Sequence, residues 1–222
     1  MSFQAHPTYS DFERNNSVFA GRLKAFLVSV SGDTALHARF LNTLSMMEHM
    51  GSRRIMMTQS SSALCQETLK HMAEEARHAF FFKRQADRFA GAALDYADAD
   101  MIAPAFARMY FKRLECFIAN DVKDETKPRY VAYLYMSMII EFRAVWAFSI
   151  YQSALDGQGV PISLKSLLAE EQGHLSDMEA KLEALGVATA DRLHCFLAKE
   201  QSLFERLLDR LENADVADAA AA

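Results

Sequence analysis

The sequence predicts an all-α protein, a four-helix bundle with a long connection between its second and third helices and with extra flanking helices. Glycine and proline number only 8 and 4 among 222 residues, and these two residue types are the usual breaks in a helix. No stretch alternates apolar and polar residues in the way that is typical of strands. Two pairs of long segments also carry matching glutamate and histidine positions, which indicates two helical hairpins of similar design.

Caps, prolines and glycines predict where each helix begins and ends. Asp33 is a favourable N-cap, Ser62 and Ser163 stand at two further helix starts, Pro128 suits a first turn, and Gly91 ends a helix. The expected helices cover about 11–30, 34–57, 62–90, 101–120, 128–155, 163–186 and 190–213. The residues after 213 are expected to fray.

The chain is expected to form a single domain over residues 1–222, because this length suits one large helical bundle. The four core helices are expected within about 34–185, with flanking helices at about 11–30, 101–120 and 190–213. The last flanking helix is amphipathic, so it either closes the bundle or pairs between two subunits of a homodimer.

Composition and charge narrow the class of protein. A hydrophobic content of 51%, with 12 Met and 16 Phe, is ample for an adaptable apolar core. A formal charge of −5 without a Lys/Arg cluster gives no reason to expect a nucleic-acid partner. The first residues lack the features of a signal peptide, and Cys65, Cys116 and Cys195 form no Cys-x-x-Cys pair. We therefore expect a cytoplasmic protein with reduced thiols.

One segment, residues 130–151, is apolar nearly all round and long enough to span a bilayer. Glu141 and Arg143 lie near its centre, where charged side chains would be costly in lipid. We therefore expect no membrane span but a buried central helix, in which an ionised Glu141 needs a partner such as a metal cation.

Two Glu-x-x-His motifs occur, Glu75-Ala76-Arg77-His78 and Glu171-Gln172-Gly173-His174. Residues three apart on a helix share a face, so each motif can present a carboxylate and an imidazole to one point. A single such motif arises easily by chance, and the alternative interpretation is solvated glutamates and capping histidines on ordinary helices.

A lone glutamate upstream of each motif makes the chance interpretation weaker. Glu48 and Glu75 are equidistant from the polar run 58–62, and Glu141 and Glu171 are equidistant from the turn signal at Asp156. Residues equidistant from the turn of an antiparallel hairpin lie side by side. The sequence therefore predicts four carboxylates and two imidazoles at one level of the bundle, which is a two-metal arrangement.

This pattern resembles the ferritin-like di-metal carboxylate superfamily, over about residues 34–185. In that superfamily the glutamates bind or bridge two irons, and each histidine binds one of them. The resemblance implies two Fe ions, with two Mn ions as the alternative, and it implies the ligands Glu48, Glu75, His78, Glu141, Glu171 and His174.

The segment Glu74-Glu75-Ala76-Arg77-His78 also resembles the Asp-Glu-x-Arg-His form of di-iron oxygenases and desaturases. The resemblance implies that Glu74 and Glu170 hydrogen-bond His174 and His78, with Arg77 among these outer groups. The alternative is that Glu74 and Glu170 are solvated residues on the flanks of their helices. Two departures are Glu in place of Asp and Gly173 in place of Arg; this glycine makes room for a substrate or a helix, or it marks a distortion.

His71 lies on the same helical stripe as Glu75 and His78. The spacing resembles the extra-histidine pattern of arylamine N-oxygenases, although there it belongs to the second hairpin. His71 is therefore either an additional ligand or a core histidine one turn away.

The function expected from these features is that of an oxygen-activating di-iron oxidoreductase, an oxygenase or hydroxylase. Its expected partners are dioxygen or peroxide, a small or lipid-like organic substrate and an electron donor. One alternative is rubrerythrin-like, ferroxidase or manganese-catalase-like handling of iron or peroxide. Another is a non-enzymatic, metal-stabilised helical interaction protein.

Overall fold

A computed structural model describes residues 7–58 and 65–213, and over these residues the protein is all-α, with no strand. The helices are α1 (Pro7–Gly32), α2 (Thr34–Thr58), α3 (Gln66–Ala90), α4 (Pro104–Asp121), α5 (Pro128–Gln158), α6 (Lys165–Ala184) and α7 (Ala190–Glu212), with one 3₁₀ turn at Asp98–Asp100. The all-α prediction is confirmed. The expected turn at 59–62, including the helix start at Ser62, lies outside the described residues.

Several helix ends follow directly from local sequence. The Asp33 carboxylate accepts hydrogen bonds of 2.9 Å from the backbone N–H groups of Ala35 and Leu36, and so it caps α2 as predicted. Pro128 lies in the first turn of α5. Gly91 ends α3 with a φ of 68°, in the left-handed region that glycine adopts without strain.

The predicted cap at Ser163 is wrong. Leu164 is the residue before α6, and no side chain caps this helix. Leu164 is fully buried, and its backbone N–H donates instead to Gln152 Oε1 at 2.6 Å. Core packing of this leucine and a side chain of α5 therefore set the start of α6.

Four helices form the centre of the fold. α2 packs along α3, α5 packs along α6, and the two hairpins meet through contacts of α2 with α5 and of α3 with α6. The connection 91–127, which includes α4, carries the chain from one hairpin to the other. α1 lies on α5, while α4 and α7 pack against each other and against α5.

The central helix is α5. It is the one helix of the described residues that is long and apolar enough to cross a membrane, but 72% of its most apolar window is buried inside the protein. Arg143 of this helix donates to Glu200 of α7 at 2.8 Å and to Asn16 of α1 at 2.6 Å, and Tyr110 of α4 donates to the same glutamate at 2.7 Å. This buried polar network joins α1, α4 and α7 to α5.

Candidate metal centre

Three histidines and four glutamates meet between the two hairpins and form two groups. Within each group, the candidate ligand atoms all lie within 4.8 Å of one another. The first group is His71, Glu75, Glu141 and His174, and the second is Glu48, Glu75, His78 and Glu171. All six ligands predicted from the sequence belong to these groups. Whether they bind metal stays a prediction.

The first group is fully buried. His71 Nε2 lies 3.2 Å from Glu141 Oε1 and 3.4 Å from Glu75 Oε1. His174 Nδ1 lies 3.1 Å from Glu171 Oε2 and 3.5 Å from Glu141 Oε1. Both imidazoles therefore point one nitrogen at the same small set of carboxylate oxygens.

The second group lies beside the first and shares Glu75 with it. His78 Nδ1 lies 3.1 Å from Glu171 Oε1. Glu48 is partly buried and shares a side-chain hydrogen bond with Glu75, as Glu141 does with Glu171. These two contacts are the pairs that reflection across each hairpin turn predicts.

Two outer glutamates hold the histidines from the opposite helix. His174 Nε2 donates to Glu74 at 2.9 Å, and His78 Nε2 donates to Glu170 at 2.8 Å. The structure thus places Glu74 and Glu170 against the histidines expected from the sequence. Arg77 donates to Glu170 at 2.6 Å and lies 3.9 Å from Glu74, so one guanidinium serves both carboxylates. Each histidine thereby turns its Nδ1 inward.

His71 has the opposite orientation. Its Nε2 faces the carboxylates, and its Nδ1 forms a hydrogen bond of 3.0 Å with the Tyr133 hydroxyl. Its ring centroid lies 4.1 Å from that of His174. The structure therefore places His71 within the first group and not one turn away from it, while its role as a ligand stays a prediction. His49, in contrast, is exposed and stacks near Tyr96.

The pKa values of two glutamates reflect the negative charge that the carboxylates bring together in the centre. Burial and then the facing Glu75, Glu171 and Glu141 raise the pKa of Glu48. Burial and the neighbouring Glu141 also raise the pKa of Glu171. Like charges this close cannot all ionise unless cations join them.

The histidines respond in the opposite direction. Burial disfavours each imidazolium, but hydrogen bonds to the carboxylates outweigh it and raise the pKa of His71 and of His78 to about 9 and that of His174 to about 11. Protons on the histidines thus balance part of the carboxylate charge.

The residues fit two divalent cations. Four carboxylates carry the charge that two such ions neutralise, and the mixture of carboxylate and imidazole suits redox iron or manganese. Glu75 Oε1 and His78 Nδ1 are buried and point into the groups, and neither has a well-aligned hydrogen bond among the described residues, although His71 Nε2 and Glu171 Oε1 lie 3.4 Å and 3.1 Å away from them. Unpaired buried polar atoms are costly, and a cation at each group would give these two atoms a partner.

Two residues near the ligands were missed from the sequence, although each carries a signal. Gly51 lies one turn after Glu48 on the same face, and a Cβ there would be 2.8 Å from Glu75 Oε2. Glycine at this position leaves room for the shared carboxylate. Tyr133 lies about two turns before Glu141 on α5, close enough to that face to reach His71.

Gly173 has no such role. α6 continues through it without a break, it is exposed, and among the described residues no neighbouring atom lies within 4 Å of a Cβ placed there. Neither a distortion nor a close helix contact requires this glycine.

Two cavities adjoin the centre. A cavity of about 500 Å³ reaches His71, Glu75 and Glu141 from the side of α4 and α5. A smaller cavity of about 120 Å³ reaches Glu48 and Glu171 among apolar side chains of α2 and α5. The centre is thus accessible to small molecules although its ligands are buried.

The fold and the site define an all-α protein with a buried carboxylate–histidine centre that could hold metal. Comparison of the chain with protein-family models, with curated proteins and with solved structures found no match.

Proposed function

We propose that the chain is a ferritin-like di-metal carboxylate protein that holds two irons and works as an oxygen-activating oxidoreductase on an organic substrate. The observation that carries this proposal is the pair of four-residue groups that share Glu75. Glu75 would bridge the two ions. His71, Glu141 and His174 would hold one ion, and the remaining three residues would hold the other.

Two irons supply the redox chemistry that activates dioxygen. The residues of the chain would orient and shield that chemistry. Glu74 and Glu170 hold His174 and His78 in one tautomer, and the hydrogen bond with Tyr133 fixes the orientation of the His71 ring. A site with three histidines has two inequivalent metal positions, because one group contains two imidazoles and the other contains one.

The larger cavity favours oxidation of an organic substrate over peroxide or iron handling. A volume of about 500 Å³ is within the usual range for small-molecule sites, whereas hydrogen peroxide and iron ions need no apolar cavity of this size. Cytoplasmic location, an external electron donor and a homodimer remain part of the proposal.

The first test is metal content by plasma mass spectrometry, on protein from cells supplemented with iron and manganese. We expect about two irons per chain. Oxygen consumption should then accelerate when an organic substrate is added. About two manganese ions with peroxide disproportionation would instead favour the catalase-like alternative, and the absence of uptake would reject the metal centre.

Glu75→Ala and His174→Ala are expected to lose metal while far-ultraviolet circular dichroism remains that of the parent protein. Each substitution removes a candidate ligand and leaves the apolar residues of the core unchanged. His49→Ala is the matched control, because this histidine adjoins Glu48 in sequence but is exposed outside both groups. Full metal occupancy in either ligand variant would contradict the assignment.

A further inference from the structure

The larger cavity has chemically different ends. At its inner end lie His71, Glu75 and Glu141 of the candidate metal centre. At its other end lie Lys123 and Arg129, which flank the connection between α4 and α5 and are exposed to solvent. A molecule that fills the cavity would therefore contact the metal centre at one end and two cations at the other.

The length of the cavity follows from α5, which contributes residues to both ends. Arg129 and Glu141 both line it and are twelve residues apart on one continuous helix. At 1.5 Å per residue this separation is about 18 Å. The cavity is therefore elongated and suits a chain-like molecule better than a compact one.

The walls between the two ends are mainly apolar. They are formed by α2, α4 and α5, and include Ile55, Phe111, Ala119, Ala132, Met136 and Ile140. Such walls favour an apolar chain, because burial of apolar surface is the main source of affinity in a site of this kind.

The four lysines and arginines that line the cavity differ in whether they form ion pairs. Arg54 and Lys112 both pair with Glu115, the latter at 3.5 Å. Lys123 and Arg129 have no carboxylate partner within the described part of the chain. The outer end of the cavity therefore carries two positive charges that form no ion pair within the described residues, and such charges attract an anionic group.

We propose that this cavity binds an apolar carboxylic acid, with its carboxylate at Lys123 and Arg129 and its hydrocarbon chain directed toward Glu75 and Glu141. This inference rests on the proposed function only where it makes the acid the substrate. Binding itself depends on the cavity and the two cations.

The test is isothermal titration calorimetry of the full chain, metal-free and metal-loaded, with laurate, dodecanol and dodecyltrimethylammonium as probes. These share one chain length and differ in the charge of the head group. We expect laurate to bind about tenfold or more tightly than dodecanol, and the cationic probe to bind weakest. Equal affinities for laurate and dodecanol would overturn the role of the cations.

Charge reversal locates the head group. The double variant Lys123→Glu/Arg129→Glu should weaken laurate binding about tenfold while leaving dodecanol binding unchanged. Lys24→Glu, an exposed reversal on α1 away from the cavity, is the matched control and should change neither. Ala119→Trp, at an exposed position of the cavity wall, should weaken the binding of both probes. Unchanged laurate binding in the double variant would reject the proposed orientation.

The two proposals fail separately. A protein that binds laurate but takes up no metal overturns the proposed function and leaves this inference intact. A protein that holds two metal ions and binds dodecanol or no probe at all, but not laurate, overturns this inference alone.

Discussion

At the scale of single residues, the geometry of the centre depends on the absence of a side chain at position 51 as well as on the candidate ligands. Glu75 is the one residue that belongs to both groups. Its carboxylate occupies space that any side chain at position 51 would enter. Gly51 therefore has a structural reason to be glycine, whereas no contact among the described residues requires glycine at position 173.

Gly51→Ala is expected to weaken metal binding with little effect on the fold, because the new methyl would displace the Glu75 carboxylate from a distance of 2.8 Å. Gly173→Ala should leave metal binding unchanged and raise the free energy of unfolding by about 1 kcal/mol, the usual difference between alanine and glycine in a helix. Metal titration and urea unfolding of both variants measure this. Equal metal affinity in the two variants would contradict the role of Gly51.

A second prediction concerns His37, a fully buried histidine away from the centre. It forms a hydrogen bond of 2.5 Å with the Tyr151 hydroxyl, its Nδ1 has no hydrogen-bond partner among the described residues, and burial lowers the pKa of the imidazole to about 4. The unfolded chain takes up a proton near pH 6.5, but the folded protein does so only near pH 4.

The contribution of neutral His37 to the free energy of unfolding is therefore fully present above pH 6.5. It is lost as the pH falls toward 4, by at most about 1.4 kcal/mol per pH unit. Urea unfolding of the parent and of His37→Gln between pH 7 and pH 4 measures the contribution. The stability difference between the two should shrink as the pH falls. A constant difference would show that His37 titrates alike in both states.

At the scale of elements, α3 and α6 support each other's histidines. Each helix contributes one outer glutamate and the histidine that the other helix's glutamate holds, His78 on α3 and His174 on α6, and Arg77 lies between the two outer carboxylates. This reciprocity explains why the glutamate before each motif is part of the centre. Rotation of either helix would break both histidine–glutamate contacts at once, His174 with Glu74 and His78 with Glu170.

Glu74→Gln and Glu170→Gln are each expected to weaken metal affinity about 10- to 100-fold while the protein stays folded, since the outer carboxylate orients the imidazole and increases its basicity. Glu183→Gln, an exposed substitution on α6, is the control. Competition with a metal-binding dye measures the affinities. Unchanged affinity in both outer variants would show that these glutamates are ordinary solvated residues.

At the scale of the whole molecule, the flanking helices are held to α5 by a buried ion pair. Arg143 and Glu200 are both buried, and the guanidinium also lies 3.7 Å from the ring centroid of Phe204. This pair joins the first and last helices of the chain to the core that carries the centre.

Glu200→Ala is expected to lower the free energy of unfolding by about 3–5 kcal/mol, because it leaves a buried arginine without its counter-charge. Glu212→Ala removes one of the two carboxylate partners of Arg22 near the surface, where an ion pair contributes at most about 1 kcal/mol. Guanidinium unfolding of both variants gives the comparison. Similar losses in the two variants would contradict a special role for the buried pair.

Local rules of helix chemistry made much of the fold and of the centre predictable. Asp33 and Gly91 mark helix ends because caps depend on a few neighbouring residues. The contacts of Glu48 with Glu75 and of Glu141 with Glu171 follow from reflection across a hairpin turn. The prediction that Ser163 caps α6 was wrong because the start of this helix depends on the buried Leu164 and on the side chain of Gln152 in α5.

The sequence by itself determined the all-α class, the approximate positions of the helices and six of the seven residues that meet in the centre, since helical periodicity and hairpin symmetry are encoded within each segment. Only the tertiary structure decided that His71 joins the first group, that Tyr133 holds it, that Glu75 is shared, and that a cavity reaches the centre. These features depend on how the two hairpins rotate and pack across the long connection 91–127. No local pattern determines that arrangement, because it results from the packing of the whole core.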